Sequence, residues 1–191
     1  MNKAMLKPVV ALTGIAVVMA FVLAAVNQYT SKPISDAKNK QELAAIADVV
    51  GDFDNDPFAE KNDIFTPDKK QKFVMYPARQ GGKLSAVAIK SYTNNGYGGR
   101  IEVMTGFNAD GTIKTFKIIS SNETPGLGSK TDEPKFKSQL EGFDPSKRIL
   151  KVKQDGGDVD AVTAATISSR AVLRAIERAF AALQNFNKRG E

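Results

Sequence analysis

Between Asp160 and Arg170 the chain reads Asp-Ala-Val-Thr-Ala-Ala-Thr-Ile-Ser-Ser-Arg, a loop of small residues and hydroxyls running straight into an amphipathic pattern. A helix that begins here leaves its first backbone N–H groups without partners and points the positive end of its dipole outward, so a phosphate binds readily. Ala164 and Ala165 let such a group come close. Thr163, Thr166, Ser168 and Ser169 add hydroxyls, either as caps for the orphan amides or as attachment points for phosphorus. A plain cluster of helix-capping residues is the competing reading. A second stretch, Asn122-Glu123-Thr124-Pro125-Gly126-Leu127-Gly128-Ser129-Lys130, joins a β pattern to a short helical one, and Pro125-Gly126 marks a type II turn.

Both stretches resemble the FMN-binding domains. In that family an Asp is followed three residues later by Ser/Thr-Gly-Ala-Thr, and the final Thr is esterified to the phosphate of FMN. Here Asp160, Thr163, Ala165 and Thr166 match, and Ala164 stands where the family more often has Gly. Glu123-Thr124-Pro125-Gly126-Leu127-Gly128 is similar to the family's other motif. With Gly98-Gly99 and the run Gly106 to Gly111, the likeness extends from about residue 90 to about residue 185. The resemblance implies an FMN joined to Thr166 by a phosphodiester, with Asp160, Thr163, Ala164, Ala165 and Ser168 around the phosphate. Leu127 then packs on a flavin face, backbone of Thr124, Gly126 and Gly128 reaches the ring edge, and Glu123 bonds a ribityl hydroxyl or caps the turn. Arg170 adds a positive charge near the phosphate.

Composition agrees with an organic cofactor. The 191 residues carry a net charge of +6 and contain no Cys and no His, which removes disulfides, thiolate clusters and the commonest metal ligand. No side chain present transfers electrons unaided, so redox work requires a bound cofactor. Lys and Arg are interspersed with Asp and Glu, which suits solvated faces and anionic lipid headgroups rather than nucleic acid.

The elements that must position these residues follow from pattern. Residues 1–7 form a flank with Lys3 and Lys7, and residues 8–27 are free of charge and long enough to span a bilayer as a helix. An uncleaved anchor is favoured over a removed signal, because Ala24-Ala25-Val26 makes a poor cleavage site. Lysines on both sides leave the orientation open on charge alone. Residues 28–51 read as a linker through Thr30 to Pro33 and a connecting helix from Ser35 to the Gly51 stop. The run from Asp52 to Pro57 imitates a calcium loop but has Pro57 and Asp63 where an EF-hand needs Gly and Glu.

Residues 52–191 then form the globular domain. Strands are predicted over Phe73 to Tyr76, Leu84 to Tyr92, Arg100 to Phe107 and Ile113 to Ser121, the last two joined by a hairpin at Asp110-Gly111. A short helix follows from Glu133 to Leu140, and Ile149 to Lys153 forms a last strand. A closing helix from Ile167 to Asn187 buries Val172, Ile176, Ala179, Leu183 and Phe186. The predicted class is α+β: one transmembrane helix, then a largely antiparallel sheet packed by helices.

Anchor and motifs together resemble the G-subunit family of Rnf electron-transport complexes. That likeness implies an extracytoplasmic domain on a single-pass inner-membrane anchor, other membrane subunits as partners, and a flavin transferase during maturation. A related family, the C-type subunits of the sodium-translocating NADH:quinone reductase, shares both motifs, but its members are usually longer. Outside this class stand a membrane-anchored scaffold without flavin and a stand-alone flavin reductase, the latter disfavoured because no nicotinamide-binding motif is evident.

Overall fold

Residues 3–190 are described by a computed structural model; Met1 and Asn2 of the flank lie outside them. Helix α1, Lys3–Val50, is a single 48-residue helix. It belongs to two compact units, residues 1–42 and 43–191. In the first unit Val10, Leu12, Ile15, Val18, Phe21 and Leu23 are exposed, a surface that suits lipid rather than water. Among the described residues this is the one helix long and apolar enough to cross a membrane.

The expected break between Thr30 and Pro33 does not occur. Helix α1 carries Pro33 inside it, with the Thr30 hydroxyl donating to Val26 O at 2.8 Å and the Ser31 hydroxyl to Gln28 O at 3.2 Å in the turn before it. Gly51 ends α1 as its sequence position implies. It adopts φ +78°, and its N–H closes on Ala47 O at 2.9 Å.

The second unit is built on five antiparallel strands in sequence order: β1 Asn62–Phe65, β2 Lys72–Gln80, β3 Lys83–Gly96, β4 Gly99–Asn108 and β5 Ile113–Ser121. The hairpin at Asp110-Gly111 joins β4 to β5 as predicted, with Phe107 opposite Ile113. β1 escapes sequence reading because only Ile64 of its four residues is buried, too short a run to show alternation.

Both sheet faces are covered, and the register decides what covers each. Ile89, Ile101, Val103, Phe107 and Phe116 pack against Val172, Ile176, Ala179 and Leu183 of the closing helix α3, Thr166–Arg189. Phe186 is half-buried at the end of that stripe. On the other face Ala86, Ala88 and Met104 receive Ala45, Ile46, Val49 and Val50 from the last turns of α1. The Lys114 ammonium donates to Val50 O at 2.6 Å, a cation on the carbonyl end of that helix.

Between β5 and α3 the chain is mostly irregular. The helix expected from Glu133 to Leu140 shrinks to a four-residue helix α2, Pro134–Lys137, and a 3-10 turn, Gly128–Asp132, precedes it. The strand expected over Ile149 to Lys153 is absent. Val152 makes one parallel bridge to Val159, and Lys153–Asp155 turns as a 3-10 helix, because Gly156 at φ +77° reverses the chain at once.

Candidate functional site

Thr166 is the first residue of α3 and is half-buried. No side chain caps that helix, and Ser169 N–H bonding Ala165 O at 2.9 Å is the donor that closes its first turn. The amides of Thr166, Ile167 and Ser168 therefore stand at the positive end of a 24-residue helix without intrahelical partners. The hydroxyls of the segment divide into two kinds. Ser168 is 2% exposed and donates to Glu123 Oε2 at 2.5 Å, while buried Ser169 donates to Ala165 O and accepts from Val162 N–H, both at 3.0 Å. Thr163 and Thr166 make no hydroxyl hydrogen bond among the described residues, and Thr163 is exposed. Two hydroxyls are thus committed to the fold and two are free for a ligand.

The turn before α3 runs Val162-Thr163-Ala164-Ala165, closed by Ala165 N–H on Val162 O at 3.0 Å. Ala164 sits at φ +63°, the left-handed region that the family's Gly would occupy without strain. Relief of that strain is worth about 1–2 kcal/mol, against roughly 0.5–1 kcal/mol of extra backbone entropy lost by Gly. Ala164→Gly should therefore raise the thermal midpoint slightly, by a net stabilisation of about 0.5–1 kcal/mol; a lowered midpoint in a thermal melt would count against the strain.

The second motif forms a turn of the same hand. Leu127 N–H bonds Thr124 O at 3.1 Å across Pro125 and Gly126, and Gly126 takes φ +77° as a type II turn requires. Its N–H meets the Ser129 hydroxyl at 2.9 Å. Thr124, Gly126 and Leu127 are exposed, whereas Gly128 is buried. Behind them Glu123, 8% exposed, accepts from Gly98 N–H at 3.1 Å and from the Ser168 hydroxyl. Both its oxygens hold a protein donor, which favours the turn-capping alternative over a ribityl bond. The glycine-dense loop Asn94 to Gly99 is the β3–β4 hairpin, with Gly96 paired to Gly99.

Asp160 is held through its backbone. The Gln139 side chain accepts from Asp160 N–H at 2.7 Å and donates to Asp160 O at 3.2 Å, and the Asp160 carboxylate pairs with Lys153 at 2.8 Å. Nothing in the sequence marks Gln139 as part of the site, since its partner lies 21 residues away. Arg170 is placed differently from expectation. Its guanidinium forks onto Asp155 at 2.6 and 2.7 Å, so its charge is spent on a carboxylate rather than offered to a phosphate. That pairing holds the Asp155 carboxyl below and the Arg170 guanidinium above its ordinary range.

A groove of about 660 Å³ opens beside this segment, lined among others by Lys130, Phe136, Gln139, Asp160, Val162 and Thr163. Another of about 600 Å³ lies at the far end of α3, against Asn108, Asp110, Phe180 and Phe186, and contains none of the predicted site residues. The donor set at the start of α3 fits a phosphate monoester or diester, and the adjoining exposed Leu127 turn offers apolar and backbone groups to a flat ring.

Comparison with known proteins points the same way. Residues 96–181 match the FMN-binding domain family, and residues 1–49 match the RnfG N-terminal region. The G subunit of the ion-translocating oxidoreductase complex of Cereibacter sphaeroides is 37% identical over 171 residues, covering 85% of this chain and 77% of that protein. Its counterpart in Pseudomonas aeruginosa is 30% identical, with 93% and 88% covered. The G subunit of the Na(+)-translocating ferredoxin:NAD(+) oxidoreductase complex of Acetobacterium woodii is 29% identical, with 91% and 89% covered. Among solved structures, Shewanella oneidensis NqrC matches with a TM-score of 0.51 and 28% identity, over 62% of this chain and 60% of that one.

Proposed function

Because this chain belongs to the family of ion-translocating oxidoreductase G subunits, we propose that it is the FMN-carrying electron-transfer subunit of an Rnf-type complex. It works between ferredoxin and NAD and does not turn over alone. The relatives' coverage supports the Rnf G subunit over its quinone-reductase counterpart, since the likeness to NqrC extends over only 60% of that chain. Bound FMN supplies the electron-carrying chemistry, and the protein supplies its position.

The observation that carries this reading is Thr166, a free hydroxyl on the first residue of an uncapped helix. Thr166 Oγ1 would carry the phosphate of FMN as a phosphodiester, placed there by a flavin transferase during maturation. The first-turn amides of α3 would hold the diester charge, each contribution worth a few tenths to about 1 kcal/mol. Thr163 and the Asp160 backbone line the approach, while Ala164 and Ala165 leave room for it. Leu127 would wall one ring face, and backbone of Thr124, Gly126 and Gly128 would meet the ring edge. Intact mass tests the assignment: the chain should exceed its sequence mass by one FMN less one water.

Gly126→Val should disturb the flavin environment while leaving attachment intact. The left-handed φ of Gly126 makes a β-branched residue strained by about 1–3 kcal/mol, yet an added Cβ meets nothing within 4 Å, so the domain folds. An unchanged flavin spectrum and midpoint potential would remove this turn from the ring.

The chain is single-pass in the inner membrane, with its domain on the extracytoplasmic side and other membrane subunits as neighbours. It contains no native Cys, so Lys83→Cys, on an exposed hairpin tip, gives a background-free probe. An impermeant thiol reagent should label it in cells with a permeabilised outer envelope. Protection there, with labelling only after lysis, would place the domain in the cytoplasm.

A further inference from the structure

Glu123 is a carboxylate sunk to 8% exposure with no cation on it among the described residues, at a point where three chain segments converge. Gly98 N–H of the β3–β4 hairpin reaches Oε1 at 3.1 Å, and the buried Ser168 hydroxyl of α3 reaches Oε2 at 2.5 Å. Glu123 itself begins the Thr124–Gly128 turn. Neighbouring backbone is shaped around this carboxylate. A Cβ on Gly96 would stand 2.5 Å from Oε1, and a Cβ on Gly128 would stand 2.3 Å from Oε2 and 2.7 Å from the Ser168 hydroxyl. No side chain fits at either place while Glu123 stays where it is. Each of the two oxygens is directed at a protein donor, 25 and 45 residues away in sequence.

We propose that Glu123 is a positioning residue that locks the Leu127 turn and the Tyr97 hairpin to the first turn of α3, and so sets the geometry between flavin ring and phosphate. The inference rests on attachment at Thr166 and assigns Glu123 no contact with the cofactor. Burying a carboxylate is costly unless hydrogen bonds compensate it, and here a backbone amide and a hydroxyl do so. Losing the carboxylate frees both the 98 loop and Ser168 at once. The exposed residues on the three locked segments, Tyr97 at 73%, Leu127 at 43% and Ile167 at 49%, lose their common frame with it.

The test uses the full chain, flavinylated and purified in detergent, with four variants. Glu123→Ala removes both bonds, and Gly128→Ala displaces the carboxylate without altering it. Glu123→Gln keeps an acceptor for Gly98 N–H and offers Ser168 an N–H in place of an oxygen, and Ser168→Ala removes one arm. The readouts are intact mass, the visible circular dichroism and fluorescence of the flavin, its midpoint potential, and hydrogen exchange at the Gly98 amide. Expected are retained FMN mass, loss of the flavin dichroic band, a shifted potential and accelerated Gly98 exchange in Glu123→Ala and Gly128→Ala, a partial change in Ser168→Ala, and recovery in Glu123→Gln. Wild-type protein lacking the added mass overturns the attachment reading and this inference together. Wild-type mass with unchanged flavin signals in Glu123→Ala, or a Glu123→Gln variant no better than Glu123→Ala, overturns the lock alone.

Discussion

Thr166→Ala is expected to abolish the proposed FMN adduct while leaving a folded, membrane-inserted chain. Loss is complete rather than partial because the neighbouring hydroxyls offer no substitute: Ser168 and Ser169 are buried and already bonded to Glu123 and Ala165. Folding survives because Thr166 is half-buried and makes no hydroxyl hydrogen bond among the described residues. Alanine is also the better helix former, by up to about 0.7 kcal/mol, so the thermal midpoint should hold or rise. Thr163→Ala keeps the adduct, since Thr163 precedes the helix and lacks the first-turn amides. Mass spectrometry of the Val159–Arg170 peptide decides, and FMN found on Thr163, or surviving in Thr166→Ala, would sink the assignment.

Gly106→Val should strongly destabilise the domain. A Cβ there would lie 2.1 Å from Val49 O and 2.8 Å from Val49 C, and backbone atoms of a helix end cannot move aside as a flexible side chain can. The helix end behind them holds four buried residues, Ala45, Ile46, Val49 and Val50, in place against Ala86, Ala88 and Met104. On strand propensity alone Val would be preferred to Gly by up to about 1 kcal/mol. Overpacking of about 3 kcal/mol outweighs that, which for a domain of this size lowers the melting midpoint by roughly 10 °C. Covalent FMN should persist, because Thr166 lies on α3 against the opposite sheet face. Calorimetry of the detergent-solubilised chain checks this; an unchanged midpoint would mean that α1 does not seat on β4 as described.

How much of this was legible beforehand depends on how far apart the interacting residues lie. The strands β2 to β5 were visible because their β-branched and aromatic runs are bounded by turn residues, and Asp110-Gly111 fixed one pairing. Gly126 and the helix start at Thr166 were equally local. Ala164 showed where left-handed backbone would be strained but not that the chain adopts it. What escaped was set by contacts distant in sequence. The capture of Arg170 by Asp155, the Gln139 clamp on Asp160 and the Glu123 junction span 15 to 45 residues, and no periodicity encodes them. The continuity of α1 through Pro33 is not legible either, because the polar run Thr30 to Pro33 reads as a linker between an apolar span and an amphipathic pattern.

The sheet is a plain meander, each strand pairing with the next, and the helix that completes its core is the last element of the chain. During synthesis the five strands can therefore pair as they emerge, by short loop closures that fold fast. The cluster around Ile89, Ile101, Val103 and Phe107 nevertheless stays incomplete until about 60 more residues have been made, because its α3 members Val172, Ile176, Ala179 and Leu183 come last. Thr166 sits on the first turn of that same helix, so it takes up its helix-start geometry only when the core closes. A chain stalled or truncated before α3 would expose a wide apolar face and lack that ordered helix start, making it prey for proteolysis.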